Sequence, residues 1–370
     1  TESIVLQVEG EAQPLDRALD LRVFYDAVTK RTPTLREVYV RTGPNLGQYV
    51  WRDSNGDGLQ QVDEFVPETT PNEGAYVRSF VPSDSLASVV DLQTRVRVSM
   101  RPGRVWRGAS AWWKRALSTV TTTSTVEVQE KSRSEEIARI YGLDLRRYRQ
   151  PGTTVDGELN LEQTVTLFEA RRSYGLDVSW RQVRGLTERA AGTQSSFLNR
   201  WRAEAEVQPA VNWELRVRGS VGRDRSTSDA FSASRGYDIR AVEGRPSVSY
   251  RPTRALTVTL AGAYARKRDR ARGRQASVLK VPLKLEWVRA SRLRLTGNVE
   301  VAQVDLEGDA VGLARYQLTD GRGPGTSALW GLQARYRFSE TLEATLNYDG
   351  RAPASAPVIH TARVQLSASF

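Results

Sequence analysis

Apolar and polar residues alternate with a period of two over most of the chain from Ser88 onward. Apolar residues occupy the odd positions from Leu279 to Trp287, while Lys280 and Glu286 stand among the even ones. Because successive residues of a strand point to opposite faces, this pattern predicts strands with one apolar and one charged face. The pattern recurs in the segments 213–221, 256–264, 293–301 and 342–348. We therefore predict an all-β protein.

The character of the two faces favours a transmembrane barrel over a soluble sandwich. The polar faces carry more charge than the outside of a sandwich needs, and many segments are about ten residues long, whereas ordinary strands average about five or six. Short turns alternate with long polar loops, as in outer-membrane barrels. Aromatic residues lie near the segment ends, where interfacial girdles form: Tyr174, Trp180, Trp201, Trp213, Tyr250, Tyr264, Trp287, Trp330, Tyr336 and Tyr348. We predict a transmembrane antiparallel β-barrel of about 12–14 strands over residues 88–370.

Composition narrows the classes of function. The sequence has no run of about 18 apolar residues, so a transmembrane helix is not expected. It also has no cysteine. The formal net charge of +11 suggests nucleic acid, because basic proteins displace the counterions of phosphates. The arginines, however, alternate within strands, as at Arg216 and Arg218, which places them along one face that a barrel turns toward water. We expect no nucleic-acid partner.

Residues 1–87 are predicted to form a small β-rich domain before the barrel, which would lie in the periplasm, cap the barrel or plug it. This region contains a twelve-residue segment, 53–64, that fits the pattern D-x-[DN]-x-[DN]-G-x5-E without a gap. In that spacing the chain coils around one point, Gly58 permits the sharp turn, and calcium tolerates the flexible oxygen ligands. The predicted ligands are the side chains of Asp53, Asn55 and Asp57, the carbonyl of Leu59, Gln61 directly or through water, and a bidentate Glu64.

The segment 53–64 resembles the EF-hand loop and, more closely, its dockerin-type variant. The resemblance implies a bound Ca2+ ion. Because the residues from Gln48 to Trp51 read as a strand, no entering helix is expected, and the ion is predicted to be structural and not a switch. The alternative is a solvated turn between two strands.

The last ten residues, from Thr361 to Phe370, alternate once more and end on an aromatic residue. This segment resembles the C-terminal β-signal of bacterial outer-membrane proteins. The resemblance implies an outer-membrane location, recognition by the barrel assembly machinery, and closure of the barrel against its first strand. The chain does not open with methionine, and we interpret it as processed or as a fragment of a longer precursor.

Enzymatic chemistry is not expected. His360 is the only histidine, no nucleophile motif accompanies it, and one histidine without cysteine cannot form a transition-metal cluster. Three functions of different classes stay open. The first is a porin-like channel or a translocation or assembly component of the envelope. The second is a structural anchor with a plugged barrel that holds other envelope proteins. The third is a secreted, calcium-stabilised soluble β protein.

Overall fold

The computed structural model describes residues 5–44, 46–68, 73–106, 108–133, 140–143, 146, 148–168, 173–231, 235–290, 292–310 and 312–368. Phe370, the aromatic end of the predicted β-signal, lies outside these ranges. The strands are β1 (Val5–Ala12), β2 (Leu19–Arg41), β3 (Tyr49–Trp51), β4 (Phe65–Pro67), β5 (Tyr76–Met100), β6 (Val120–Ser132), β7 (Thr154–Leu167), β8 (Tyr174–Arg189), β9 (Gly192–Ala210), β10 (Trp213–Ser228), β11 (Tyr237–Tyr250), β12 (Leu256–Ala261), β13 (Ala263–Asp269), β14 (Gln275–Arg289), β15 (Leu293–Glu307), β16 (Gly325–Arg337), β17 (Leu342–Ala352) and β18 (Ile359–Ala368).

Within the described ranges, the named helices between strands are α1 (Trp112–Leu117) and α2 (Gly312–Thr319), together with short 3-10 turns at Val62–Glu64 and Pro102–Arg104. Among the described residues, no helix is long and apolar enough to cross a lipid bilayer.

All the strands belong to one antiparallel sheet. β1 pairs with β2, β2 pairs with β5, and from β5 to β18 each strand pairs with the next along the chain, except that β12 and β13 together fill one position between β11 and β14. Across the described ranges no pairing joins β18 to β1. The predicted all-β fold class is confirmed, and β5 to β18 fall within the predicted number of strands.

The N-terminal strands join this same sheet. β5 runs without a break from Tyr76 to Met100 and so passes through the predicted domain boundary at residues 87 and 88. β2 pairs with almost the whole length of β5, from Leu19 opposite Met100 to Arg41 opposite Tyr76. The strands before and after the predicted boundary are therefore continuous in hydrogen bonding, because one long strand serves both.

The far part of the β2–β5 pair, together with β3 and β4, forms a unit that we name the mouth hairpin (described residues 35–44, 46–68 and 73–82). The β2–β5 register shifts between Pro33 and Leu35, where a proline cannot donate a ladder hydrogen bond and the bulge bends the strand pair. Beyond the bulge, β3 and β4 pair with each other, and Tyr49 of β3 pairs with Tyr76. Ala190, in the β8–β9 turn, donates its backbone N–H to Leu35 at 3.3 Å. The mouth hairpin therefore reaches strands that are distant in the sheet.

The two faces of the sheet differ as the alternation predicts. In β10, Leu215, Val217 and Val221 lie on one face, which we call the outer face, and Arg216 and Arg218 lie on the other, the inner face. Directly paired residues share a face, so the outer face continues from Val217 to its partners in β9 and β11. Val217 is 58% exposed, and all strands of the described residues belong to one sheet, so no second sheet packs on it.

The connections pack on both faces at one end of the sheet. On the inner face, Leu318 of α2 is buried with Ile239 and Ala276. On the outer face, Ile140 and Tyr148 of the β6–β7 connection cover a buried cluster of Tyr25, Ala27, Val90, Leu92, Val128 and Leu159. The connections after β6, β10 and β15 therefore lie at the end of the sheet where the mouth hairpin lies. Short turns such as 211–212 and 338–341 lie at the other end, together with the longer β5–β6 connection that carries α1.

Candidate functional site

The inner face carries a network of ion pairs near its short-turn end. The Arg216 guanidinium lies 3.1 Å from a Glu204 carboxylate oxygen and 2.9 Å from one of Glu206, and Arg218 lies 2.6 Å from Glu204. Glu214 contacts Arg216 at 2.8 Å. These side chains are partly exposed, so each pair adds only about 0–1 kcal/mol to stability. The network therefore makes the inner face of the sheet strongly polar and contributes little to the stability of the fold.

A second set of inner-face charges holds α2 against the wall. Lys267 donates to the Gln317 carbonyl at 2.6 Å and forms an ion pair with Asp320, directly after the helix. Lys280 lies 2.8 Å from the other oxygen of Asp320. Arg322 likewise pairs with Glu300 of β15. The connection between β15 and β16 is therefore fixed against the inner face of the sheet and occupies space on that side.

The mouth hairpin is held by a buried ion pair between residues that are far apart in sequence. Arg235, in the β10–β11 connection, donates Nη1 to Oε2 of Glu37 at 2.9 Å and Nη2 to Oε1 at 3.0 Å. Its Nη2 also donates to the Val62 carbonyl at 3.1 Å. Glu37 is 9% exposed and Arg235 is 8% exposed. This bidentate contact, which we call the latch, ties the hairpin to the opposite rim.

The latch fixes the protonation state of its carboxylate. Burial raises the pKa of Glu37, but hydrogen bonds from Arg235 and Tyr39, together with the Arg235 charge, outweigh burial and hold that pKa below its ordinary value. Tyr39 donates its hydroxyl to Glu37 at 2.6 Å, and its ring stacks on Phe65 at 4.1 Å between centroids. Glu37 therefore stays charged at neutral pH.

The predicted calcium ligands lie together in one loop of the mouth hairpin. Asp53 accepts the backbone N–H of Gly56 at 2.7 Å and that of Gly58 at 2.9 Å, and Gly58 has φ +71°, which a side chain would disfavour. Asp57 accepts the N–H of Leu59 at 2.7 Å and the side-chain amide of Gln61 at 2.6 Å. These hydrogen bonds run within the loop itself, and among the described residues no three acidic side chains converge closely enough to hold a metal ion. Calcium binding by this loop stays a prediction.

The last predicted ligand lies at the base of the loop. Glu64 is buried and accepts hydrogen bonds from the Trp51 indole at 2.8 Å and from the Ser54 N–H at 3.0 Å. These bonds, that of Trp51 first, lower the pKa of Glu64. Asn55 accepts the N–H of Asp57 at 2.9 Å. Oxygen atoms of the types that calcium prefers are therefore present, and they accept hydrogen bonds from N–H groups of the loop and of Trp51.

The outer face carries two rows of aromatic residues with apolar residues between them. Tyr174, Trp213, Tyr250, Trp287 and Tyr336 lie toward the short turns, and Trp180, Trp201, Tyr264, Trp330 and Tyr348 lie toward the mouth hairpin. Trp213 stacks on Tyr250 at 4.4 Å between centroids. The band between the rows is formed by exposed residues such as Leu215, Val217, Leu283 and Val299. An exposed apolar surface of this extent is typical of contact with lipid or another protein.

His360 lies on the outer face, where its Nδ1 is 2.9 Å from the Tyr348 hydroxyl and its ring is 5.7 Å from that of Trp330. Sequence reasoning missed the latch and the charges that hold α2. Glu37 and Arg235 are separated by 198 positions, and no local pattern marks either as a partner.

No family model and no curated protein matches the chain. Among solved structures, the chain is similar to the ferric enterobactin receptor of Pseudomonas aeruginosa (TM-score 0.48, 11% identity, covering 94% of this chain and 50% of the receptor). It is also similar to the outer membrane channel DcaP of Acinetobacter baumannii (TM-score 0.40, 10% identity, covering 94% and 96%). A third is the ferric-catecholate import receptor Fiu of E. coli (TM-score 0.43, 13% identity, covering 92% and 56%). The chain spans about half the length of the two receptors.

Proposed function

We propose that the chain forms an integral β-barrel of the bacterial outer membrane that passes polar or anionic solutes through a charged interior. The observation that carries this proposal is the outer face, where exposed apolar side chains form a band between two aromatic rows. Lipid is the solvent that such a band requires, because water would make its exposure unfavourable. The charged inner face is then the wall of a water-filled passage.

Access to this passage is controlled at its long-loop end. The mouth hairpin is tied across the rim by Glu37 and Arg235, and α2 narrows the interior below it. The resting barrel is therefore largely closed, and transport needs the hairpin to move. Assembly proceeds through the barrel assembly machinery, which reads the C-terminal strand. No catalytic role is proposed.

We expect the protein, purified from outer membranes in detergent, to produce discrete conductance steps in planar lipid bilayers. Rare or short openings are expected for the wild type because the latch holds the hairpin in place. Single-channel recording measures the steps, and a matched preparation from cells without the protein is the control. Absence of any conductance, together with partner proteins that co-purify through detergent washes, would instead support the second candidate, a plugged structural anchor.

Membrane fractionation separates both candidates from the third. An outer-membrane barrel is extracted only by detergent and changes its gel mobility when heated, because the folded barrel resists the detergent until boiling. Recovery in the aqueous fraction without detergent would contradict the membrane proposal and favour a secreted β protein.

We also propose that the 53–64 loop binds one structural Ca2+ ion. The support is the coiled loop, with Gly58 at positive φ and the side-chain oxygens of Asp53, Asn55, Asp57 and Glu64 arranged along it. The ion would stabilise the tip of the mouth hairpin by replacing loop N–H groups as the partner of these oxygens.

Glu64→Gln is expected to weaken calcium binding at least tenfold, because the bidentate carboxylate contributes a full charge and two ligand atoms. Isothermal titration calorimetry of the detergent-purified protein with CaCl2 measures the affinity. Asp63→Asn is the matched control, since it removes the neighbouring carboxylate, which is not a predicted ligand. Equal affinities for wild type and Glu64→Gln, or no heat of binding in the wild type, would contradict the proposal.

A further inference from the structure

Directly beyond the apolar band, the outer face of three neighbouring strand positions becomes basic. In β10 and β11, Val221 pairs with Val242, and the next outward pair toward the long loops is Arg223 and Arg240. In β13, Arg266 and Arg268 follow the aromatic Tyr264 on the same face. Arg268 lies directly opposite Arg240, and Arg266 directly opposite Val242. We call Arg240, Arg266 and Arg268 the outer arginine patch.

The patch has little compensating charge within the protein. Arg223 forms a bidentate pair with Asp238, at 2.7 and 2.6 Å. Asp305 and Glu307 lie two strand positions away on the same face, where they accept hydrogen bonds from Ser277 and Gln275. In the described part of the chain, no ion pair forms at Arg240, Arg266 or Arg268, and all three are exposed. On the inner face, by contrast, Arg335 of the facing Arg294–Arg335 pair lies 3.3 Å from Glu343.

Like charges directly opposite each other on a sheet destabilise it. An anionic partner from outside the described chain would relieve this repulsion between Arg240 and Arg268. Side chains on adjacent strands are about 5 Å apart, and those two residues along a strand are about 7 Å apart, so the patch presents several guanidinium groups over a small area. Guanidinium groups bind phosphate oxygens with two parallel hydrogen bonds, and they keep their charge at any physiological pH.

The position of the patch identifies the source of phosphate. The patch begins one position beyond the band that the proposed function places in lipid, at the level where headgroups meet water. Tyr264, next to Arg266 on the same face, belongs to the aromatic row that marks this level. A soluble anion reaches these arginines only from dilute solution, whereas the bilayer holds lipid headgroups at this level at high local concentration.

We propose that the outer arginine patch binds phosphate groups of anionic lipids in the leaflet at the long-loop end. This inference rests on the proposed membrane location and adds a specific lipid contact on one side of the barrel. Bound headgroups neutralise the facing arginines and fix β11 and β13 relative to the membrane surface.

The test compares two triple variants of the detergent-purified protein. Arg240→Gln/Arg266→Gln/Arg268→Gln removes three patch charges, and Arg294→Gln/Arg335→Gln/Arg337→Gln removes three from the inner face at the short-turn end. Native mass spectrometry after titration with phosphatidylglycerol in detergent micelles counts the bound lipids, with phosphatidylcholine as the zwitterionic reference of zero net charge. We expect the patch variant to lose at least tenfold in affinity for phosphatidylglycerol, and the inner-face variant to bind like the wild type.

Equal binding of phosphatidylglycerol by both variants would overturn the inference, and so would equal binding of phosphatidylglycerol and phosphatidylcholine by the wild type. Displacement of phosphatidylglycerol by millimolar inorganic phosphate would also overturn it, because the patch would then be a site for a free anion. If the patch variant does not fold, the wild type still decides, because lipid binding through exposed arginines must weaken steeply as salt rises. A salt-independent preference would contradict the inference. The measurement is made in micelles, so it does not depend on conductance, and fractionation tests the membrane proposal separately.

Discussion

Val217→Arg is expected to abolish accumulation of the folded protein in the outer membrane. Val217 lies midway between Trp213 and Val221 on the outer face of β10 and is 58% exposed. It pairs with Ala205 and Pro246, which offer no charge to an introduced guanidinium. An arginine on the lipid face costs about 2–4 kcal/mol near the bilayer midplane. Because proteins are only marginally stable, that cost is a large part of the stability of the barrel.

Ser220→Arg is the matched control for this experiment. Ser220 lies on the same strand but on the inner face, where its paired residues are Arg202 and Glu243. An added arginine there meets water and a carboxylate, so we expect near-normal levels of folded protein. Heat-modifiable mobility in isolated membranes measures both variants, and urea unfolding in lipid vesicles measures the difference in free energy of unfolding. Similar losses for the two variants would mean that the apolar band does not face lipid.

The alternation of residues predicted this difference between the faces because it is a local property of the chain. Once Val217 and Arg216 lie on a strand, geometry alone places them on opposite faces. The register of the neighbouring strands follows because it must keep their apolar residues on one common face. The segment 53–64 was recognised for the same reason, since the spacing of Asp53, Gly58 and Glu64 is a local property of the sequence. Whether that loop holds calcium stays a prediction.

Features that depend on distant contacts were not visible. Nothing in the sequence of residues 1–87 marks β1 and β2 as strands of the large sheet, in which β1 pairs with β2 and β2 pairs with β5 over a long stretch. The α2 helix is short, and its place inside the sheet depends on Lys267 and Lys280, which look like ordinary strand charges in the sequence. A lysine on a polar strand face carries no local sign that its partner comes from a connection between later strands.

The outcome for the mouth hairpin shows what such contacts contribute to function. Residues 1–87 were expected to form a periplasmic domain, a cap or a plug, and the described residues of the mouth hairpin lie at the long-loop end. The register shift after Pro33 interrupts the β2–β5 ladder below the hairpin, and the latch ties the hairpin to the β10–β11 connection. A pore with a polar wall needs such a device if solutes are to pass only at certain times.

Arg235→Ala is expected to open this device and to raise the fraction of time that the pore conducts by at least tenfold. The substitution leaves the Glu37 carboxylate buried without its partner, which costs the closed state about 3–5 kcal/mol. It also removes the hydrogen bond to the Val62 carbonyl. Arg36→Ala, which removes an exposed positive charge beside the latch, is the control and should leave openings rare. Single-channel recordings in planar bilayers measure the open fraction.

The same latch predicts the direction of the pH dependence. The pKa of Glu37 is lower in the closed hairpin than in the open state, so the carboxylate stabilises closure at every pH above its ordinary value of about 4.3. That contribution is lost as the pH falls through the lowered pKa of the closed state. The wild type should therefore open more often below about pH 4, whereas Arg235→Ala should already be open at pH 7 and should respond little to acid. An open fraction in Arg235→Ala equal to that of the wild type at pH 7 would show that the ion pair does not hold the hairpin closed, and closure would then rest on α2.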